Sequence, residues 1–380
     1  MARVYISPGG DCYQAGNLII RHATPADDEA LQQILRDNPM QGWLRLALER
    51  SPSYFAGENL LGRSRAIIGQ DAAKDGAFIG MYHTAFLPVF VNGEVVQAGY
   101  LGELRINPAY RNSLRILKHG FASIHPLNRP DANTTAIWFT SIASDNDTAR
   151  RLLEAKHRKL PRYSPVGELQ TLAISVRHGK RPKLLRRATQ ADTQRICNFY
   201  NRQAAQYNFA PNLDPSWLSD SAASKGLRIE DFWIFEDAEN IEACIAVWDQ
   251  RPFKQAVVQG YRFPLNHLRP VYNLFATLQG KPLLPKSGCQ LESVTLSFFA
   301  ISSKAEKHTL KILREALYVA GMKNARIGLI GLSAANPLLP VLRISLKPTI
   351  YHTCIETVSW MDKESMRLND SRVQPEISLL

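Results

Sequence analysis

The sequence predicts an α/β fold, with α+β mixed sheets in two related domains in tandem over residues 1–180 and 181–380. Three observations predict it. A phrase repeats half a chain apart: Ile19-Ile20-Arg21-His22-Ala23-Thr24-Pro25-Ala26-Asp27 returns as Leu184-Leu185-Arg186-Arg187-Ala188-Thr189-Gln190-Ala191-Asp192, at a constant offset of 165 positions. Solenoid periods are roughly 20–50 residues, so an offset this long marks a duplicated domain. In both halves, β-rich runs alternate with stretches of helical period. The length of 380 residues also exceeds what one typical core organises.

Residues 17–23 (NLIIRHA) read as an edge-type strand. Thr24 follows as an N-cap, with proline at the first helical position and acids in the first turn, and Leu31, Ile34 and Leu35 continue as a helix. Gly42–Ser51 (GWLRLALERS) reads as a second helix, and strands are expected over Arg65–Gly69 and Gly76–Phe86. Asn92-Gly93 between Val89-Phe90-Val91 and Val95-Val96 is a two-residue hairpin signal. It leads into the apolar run Tyr100–Ile106, which Asn107-Pro108 stops, because proline has no N–H and biases its predecessor away from helix. Leu114, Leu117, Phe121 and Ile124 then recur at three and four, which is helical spacing. Thr135–Ile142 is the next strand, a helix follows Asn146, and Leu169–Val176 closes this half.

The second half repeats the plan. Phe232–Phe235 and Ala243–Trp248 form a hairpin around Glu236–Asn240, Ser293–Ile301 is the counterpart of Tyr100–Ile106, Arg326–Leu332 follows, and Thr353–Trp360 closes the sheet. Between the halves lies the densest basic cluster, Arg177–Lys183 with Arg186 and Arg187, which reads as a solvated linker. Ser7-Pro8-Gly9-Gly10 reads as a turn.

Composition excludes several classes. Hydrophobic content of 45% with 21% charged residues is globular. No apolar run reaches the roughly 18 residues a spanning helix needs, and the N-terminus lacks the basic-then-apolar layout of a secretory signal. Cys12, Cys197, Cys244, Cys289 and Cys354 are odd in number and never in a CxxC pair, so reduced thiols and a cytoplasmic protein are expected. Nine histidines show no metal spacing, so no metal is expected. Nucleophile-elbow, Walker and dinucleotide fingerprints are missing. A net charge of +12 favours polyanionic partners. Nucleic acid is not expected, since no aromatic residues interleave with the basic cluster.

One stretch carries chemistry. Arg111 and Arg115 stand where the Leu114–Ile124 helix begins, and a helix start with unpaired N–H groups is an anion site. Ile106-Asn107-Pro108-Ala109-Tyr110-Arg111 resembles the end of the central strand of the GNAT superfamily of N-acyltransferases, a hydrophobic-Asn/His-Pro-x-Tyr-Arg run. The next residues resemble its pyrophosphate loop, Arg/Gln-x-x-Gly-x-Gly/Ala, except that Leu114 and Ile116 stand where the family has small residues. Side chains there restrict close approach to the backbone, and Arg115 offers a side-chain contact instead. Ser144–Glu154 is similar to the family's Asn-x-x-Ala helix, whose asparagine, here Asn146, lies near the pantetheine arm. The resemblance spans nearly the whole chain, but the specific motifs lie within residues 100–155. Ser302–His308 has neither glycine nor arginine, which makes the second copy degenerate.

The resemblance implies two GNAT-like domains and an acyl-CoA site, for acetyl-CoA or another acyl-CoA. It would be formed by Leu104, Arg105 and Ile106, by Arg111, Asn112, Ser113, Leu114, Arg115 and Ile116, and by Asn146. Amide formation from a thioester needs an amine that has lost its proton, a donor for the carbonyl oxygen and a proton for the leaving thiolate. Glu103 is the candidate base; its alternative is a salt bridge to Arg105 or a substrate-orienting contact. The family's helix tyrosine is replaced by Leu153, which leaves Tyr163 as a candidate acid from the following loop or as a structural residue. His157, in a basic run, reads as solvated. The implied activity is N-acyl transfer, with acetyl as the first expectation, to a small-molecule or peptide amine by direct attack in a ternary complex. The second domain would complete the acceptor pocket. The alternatives are a catalytically weak binding or sensor protein of this fold, and an acyltransferase that uses an acidic acyl carrier protein.

Overall fold

The computed structural model describes residues 4–380 apart from 41, 61, 112, 130, 155–159, 221, 222, 280, 361–365 and 371. The first half supplies β1 (Val4–Ile6), β2 (Cys12–Ala15), β3 (Leu18–His22), β4 (Leu44–Glu49), β5 (Arg63–Asp71), β6 (Ala77–Val91), β7 (Glu94–Ile106), β8 (Ile137–Ala143) and β9 (Arg162–Ser175). Its helices are α1 (Asp28–Asp37), α2 (Leu114–Leu127), α3 (Asp131–Thr134) and α4 (Asp147–Glu154). The second half supplies β10 (Arg186–Arg187), β11 (Phe232–Asp237), β12 (Asn240–Trp248), β13 (Gln255–Tyr261), β14 (Ser293–Ile301), β15 (Ile327–Ser333) and β16 (Thr349–Ser359). Its helices are α5 (Thr193–Ala204), α6 (Pro215–Ser219), α7 (Leu265–Gln279), α8 (Thr309–Met322) and α9 (Leu339–Leu346).

Among the described residues fourteen strands make one mixed sheet, in the order β1-β2-β3-β5-β6-β7-β8-β16-β9-β15-β14-β12-β11-β10. The last strand of each half lies inside the other half's sheet: β16 pairs with β8 on one side and β9 on the other, and β9 pairs in turn with β15. Thr353–Trp360 therefore does not close the sheet. It occupies the middle, as does the stretch expected to close the first half.

The sequence repeat is a repeated local structure. Arg21 donates to Asp27 at 2.8 Å and Arg186 to Asp192 at 2.8 Å. In each copy the same aspartate accepts from a threonine backbone N–H, Thr24 or Thr189. Leu31, Ile34 and Leu35 are buried along α1, and Ile196 is buried in α5. Asn92 and Gly93 both adopt positive φ (54° and 88°) in the hairpin between β6 and β7, as the turn requires.

Three further expectations are corrected. Gly42–Ser51 is not helical: β4 pairs antiparallel with β13, Leu48 opposite Ala256. Leucine, alanine, arginine and glutamate there favour a helix locally, but Leu44 and Leu46, two apart, pack on Val258, Tyr261 and Leu284 of the second half. Leu114 is not on the packed face of α2 but half exposed, whereas Leu117, Phe121 and Ile124 are buried. The basic junction is more than a solvated linker. Its backbone is pinned, with Leu184 and Leu185 N–H groups donating to the buried Glu315 carboxylate and Lys180 N–H to the Arg314 carbonyl. Among the described residues no helix is long and apolar enough to cross a membrane.

Candidate active site

Each half contains a strand that breaks away from its parallel neighbour. In the first, the β7–β8 ladder runs from Ala98 to Leu101 and stops. Glu103 follows with φ of 52°, and the register against β6 slips between Met81 and His83, a bulge that bends β7. In the second half the β14–β15 ladder stops at Thr295, and Phe298 takes φ of 51°. Two equivalent wedges result, and their contents differ.

The second wedge is filled by the chain's own C-terminal segment. Glu376 accepts from the Phe298 N–H at 2.8 Å, Gln374 accepts from the Ser333 N–H at 3.2 Å, and Val373 is fully buried. A Cβ on Gly331 would collide with Ile377. Neither the bulge nor this plug is signalled in the sequence, where residues 372–380 (RVQPEISLL) carry no recognisable motif.

The first wedge opens into a cavity of about 460 Å³. Leu101 to Ile106 of β7, Thr140 to Ala143 of β8, and Asn146 line its centre. An apolar branch runs beneath α2, lined by Leu18, Ile20, Ile79, Ile116, Gly120 and Phe121. The opposite end is lined by Arg50, Lys254, Gln255 and Leu380, so both halves of the chain contribute walls. Sequence reasoning located the strand but missed the branch, because its lining comes from four separated segments. The small residues Gly69, Gly80 and Gly120 were its only signal.

Glu103 sits in this cavity, but its partner is Arg50 and not Arg105. Arg50 Nη2 donates to Oε1 at 2.6 Å, and the Tyr54 hydroxyl donates to Oε2 at 2.5 Å. Burial alone would push the Glu103 carboxyl up; Arg50, then His83, and the Tyr54 hydrogen bond overcome this and bring it down to about 2. The carboxylate is thus ionised and held by two donors, an arrangement better suited to positioning than to taking a proton near neutral pH. Arg50 and Tyr54 were missed; they lie 53 and 49 positions away, in the segment that follows β4.

Lys254 is a further buried charge that lines this cavity. Burial, then Arg50, brings its ammonium down to about 8, against the opposing pull of Glu103 and Glu376. It donates to the Leu380 main-chain oxygen. Arg105 donates to its neighbour's carbonyl, Leu104 O at 3.0 Å, and among the described residues its buried Nε has no hydrogen-bond partner.

The loop residues divide. Arg111 donates to the Asn38 side chain at 2.6 Å, and Arg115 to the Ala15 carbonyl at 3.0 Å, so both guanidiniums are engaged by the protein beside the start of α2. Ser113 is the N-cap of α2, its hydroxyl accepting from the Ile116 N–H. Leu114 points outward, Ile116 lines the cavity, and Asn112 lies outside the described residues, as does His157. Asn146 caps α4 through the Ala149 N–H at 3.1 Å and lines the cavity. Tyr163 is within β9 and not in a loop, since the strand starts at Arg162; its ring meets Phe121 edge-on at 6.0 Å. Burial, then Glu356, raises its hydroxyl pKa far above the ordinary value.

The tandem sheet, the paired wedges and the strand exchange define a two-domain GNAT-type fold. Solved structures of Saccharomyces cerevisiae N-myristoyltransferase share it. One with bound myristoyl-CoA superposes with a TM-score of 0.60 over 98% of this chain and 90% of that one, at 8% sequence identity. Another gives 0.61 over 98% and 85%, at 9% identity. A third, bound to myristoyl-CoA and inhibitors, gives 0.58 over 98% and 86%, at 10%. No protein-family model matches the sequence, and no curated protein matches it.

Proposed function

We propose that this protein is an N-acyltransferase that moves an acyl group from an acyl-CoA to an amine by direct attack. The carrying observation is the cavity, in which the wedge of β7 and β8 joins an apolar branch under α2 to a polar end at Arg50 and Lys254. The solved neighbours of this fold bind myristoyl-CoA. In this reading residues 1–180 hold the acyl donor, with the acyl chain in the branch, and residues 181–380 complete the acceptor side. The branch favours chains longer than acetyl.

The roles of the chain's own groups follow. Beyond Leu101 the β7 backbone no longer pairs with β8, so Leu104, Arg105 and Ile106 present backbone groups to the cavity, where an N–H polarises the thioester carbonyl. Glu103 orients Arg50 and Tyr54 at the junction of the two ends. An α-amino group titrates at about 8, so a sizeable fraction is neutral at pH 7.5 and needs only a weak base. A thiol of pKa about 8.5 leaves without a dedicated acid.

The second reading is a binding protein of the same fold, and the engaged guanidiniums of Arg111 and Arg115 favour it. Thiol release from acyl-CoAs of graded chain length, with and without a panel of amines, separates the two. Amine-dependent release supports transfer. Saturable acyl-CoA binding without release on any amine supports the binding reading.

A further inference from the structure

Helix α7 is apolar on the side that faces away from the protein. Ala276 is buried, and Leu265 and Tyr272 pack on the Val258, Tyr261 and Leu284 cluster. Asn273 fixes this orientation through hydrogen bonds to the Leu284 N–H and carbonyl, at 2.8 and 3.0 Å. The outward side carries Leu268 (49% exposed), Val271 (52%), Leu274 (64%), Phe275 (55%) and Leu278 (77%), at spacings of three and four. Just before the helix, Phe263 is 79% exposed. Folded chains seldom leave so many large apolar side chains together in water unless something covers them.

The surrounding charge indicates what does. From residue 250 to 291 the chain has no aspartate or glutamate, but it has Arg262, Arg269, Lys281 and Lys286 around the helix. Trp43 is 41% exposed, and its carbonyl accepts from the Arg262 N–H, which places an indole at the helix's leading end. An apolar helical side within a segment that carries cations and no acids, with a flanking tryptophan, matches the interface of an anionic bilayer. A protein partner would more often be met by a rim of both signs.

We propose that α7 docks this protein on an anionic lipid surface, with Leu268, Val271, Leu274, Phe275 and Leu278 among the acyl chains. The same β4–β13 ribbon carries the helix at one end and, through Gln255 and Ala256, lines the cavity at the other. Docking would therefore connect the membrane surface to the cavity through one two-stranded ribbon. The proposal does not depend on acyl transfer, because its test reads binding alone.

The test is cosedimentation of the full chain with phosphatidylcholine vesicles, with and without phosphatidylglycerol. Leu274→Glu/Leu278→Glu and Lys281→Glu/Lys286→Glu variants are run beside it, and thermal melts show that each folds. The native protein is expected to bind only the phosphatidylglycerol vesicles, and salt should weaken binding. The apolar double variant should lose at least tenfold in affinity. Reversing two lysines should lose more than that, since each cation near the surface is worth about fivefold. Failure of the native protein to bind would overturn the proposal, as would equal binding to neutral vesicles or binding that the leucine variant leaves unchanged. A native dimer broken by the leucine variant, without vesicle binding, would assign this side of α7 to a second copy and overturn it too.

Discussion

Gly120 offers a direct test of where the acyl chain lies. It sits in α2 against the apolar branch, and a Cβ there would have no neighbouring atom within 4 Å. Gly120→Ala should stabilise the protein by about 1 kcal/mol, the ordinary gain for replacing a helix-interior glycine. Gly120→Leu adds four carbons to the space that a long acyl chain would fill. Burying each methylene is worth about 0.8 kcal/mol, so displacing about four of them costs roughly 3 kcal/mol, or roughly 200-fold in kcat/KM. Acetyl-CoA should be nearly unaffected, because its acyl group ends at the wedge. Thiol release measured for acyl-CoAs from two to sixteen carbons, on native, Ala and Leu proteins, gives the profile. A Leu variant whose chain-length profile matches that of the native protein, or one that loses acetyl-CoA and long chains equally, would refute this placement of the chain.

Other perturbations probe the charges and the plug. Glu103→Gln removes the anion from a largely buried pair and should destabilise the fold by about 3 kcal/mol in denaturant titrations. The pH dependence has a definite sign: Glu103 has a folded value of about 2, below an unfolded value of about 4.3, so its contribution is complete above pH ~4.3 and lost as pH falls towards 2. Lys254 behaves oppositely to a paired lysine. Its folded value of about 8 lies below the unfolded one, so native stability should rise between pH 8 and about 10.4, and Lys254→Met should flatten that rise in melts across the range. Glu376→Ala strands the Phe298 N–H and should cost about 1–3 kcal/mol, read by chemical denaturation. Gly331→Ala should force Ile377 out of the second wedge, an outcome that faster protease cleavage within residues 372–380 would register.

Features that depend on near neighbours were legible in the sequence. Asn92-Gly93 specified its turn through backbone conformation, and the Arg21–Asp27 and Arg186–Asp192 pairs lie only six positions apart. Legibility ended where a residue's fate is decided across the chain. Leu44, Leu46 and Leu48 alternate like a strand, yet GWLRLALERS is rich in helix formers, and only β13, about 200 positions away, resolves the conflict. The same holds for the site. Glu103 stood out from its strand, whereas its pairing with Arg50 and Tyr54 depends on how β4 folds back. Tyr163, read as a candidate acid or a structural residue in a loop, lies in a strand because β9 starts seven residues before Leu169, held by β16. The C-terminal plug has no local signature, since its glutamate and isoleucine are defined only by the wedge they enter.

The exchange of β9 and β16 has a consequence for how the chain is made. Ile355 pairs with Gly167, 188 positions earlier, so the middle of the sheet cannot form until most of the second half has been synthesised. At about 5–20 residues per second, β8 and β9 wait roughly 10–40 s after emerging before their shared neighbour arrives. During that interval both present open hydrogen-bonding edges, the kind of surface that recruits strands from other chains. Contacts this distant also slow folding once synthesis ends. Slower translation of the second half should therefore lower the soluble yield of this protein, and a holdase chaperone that shields strand edges should restore it.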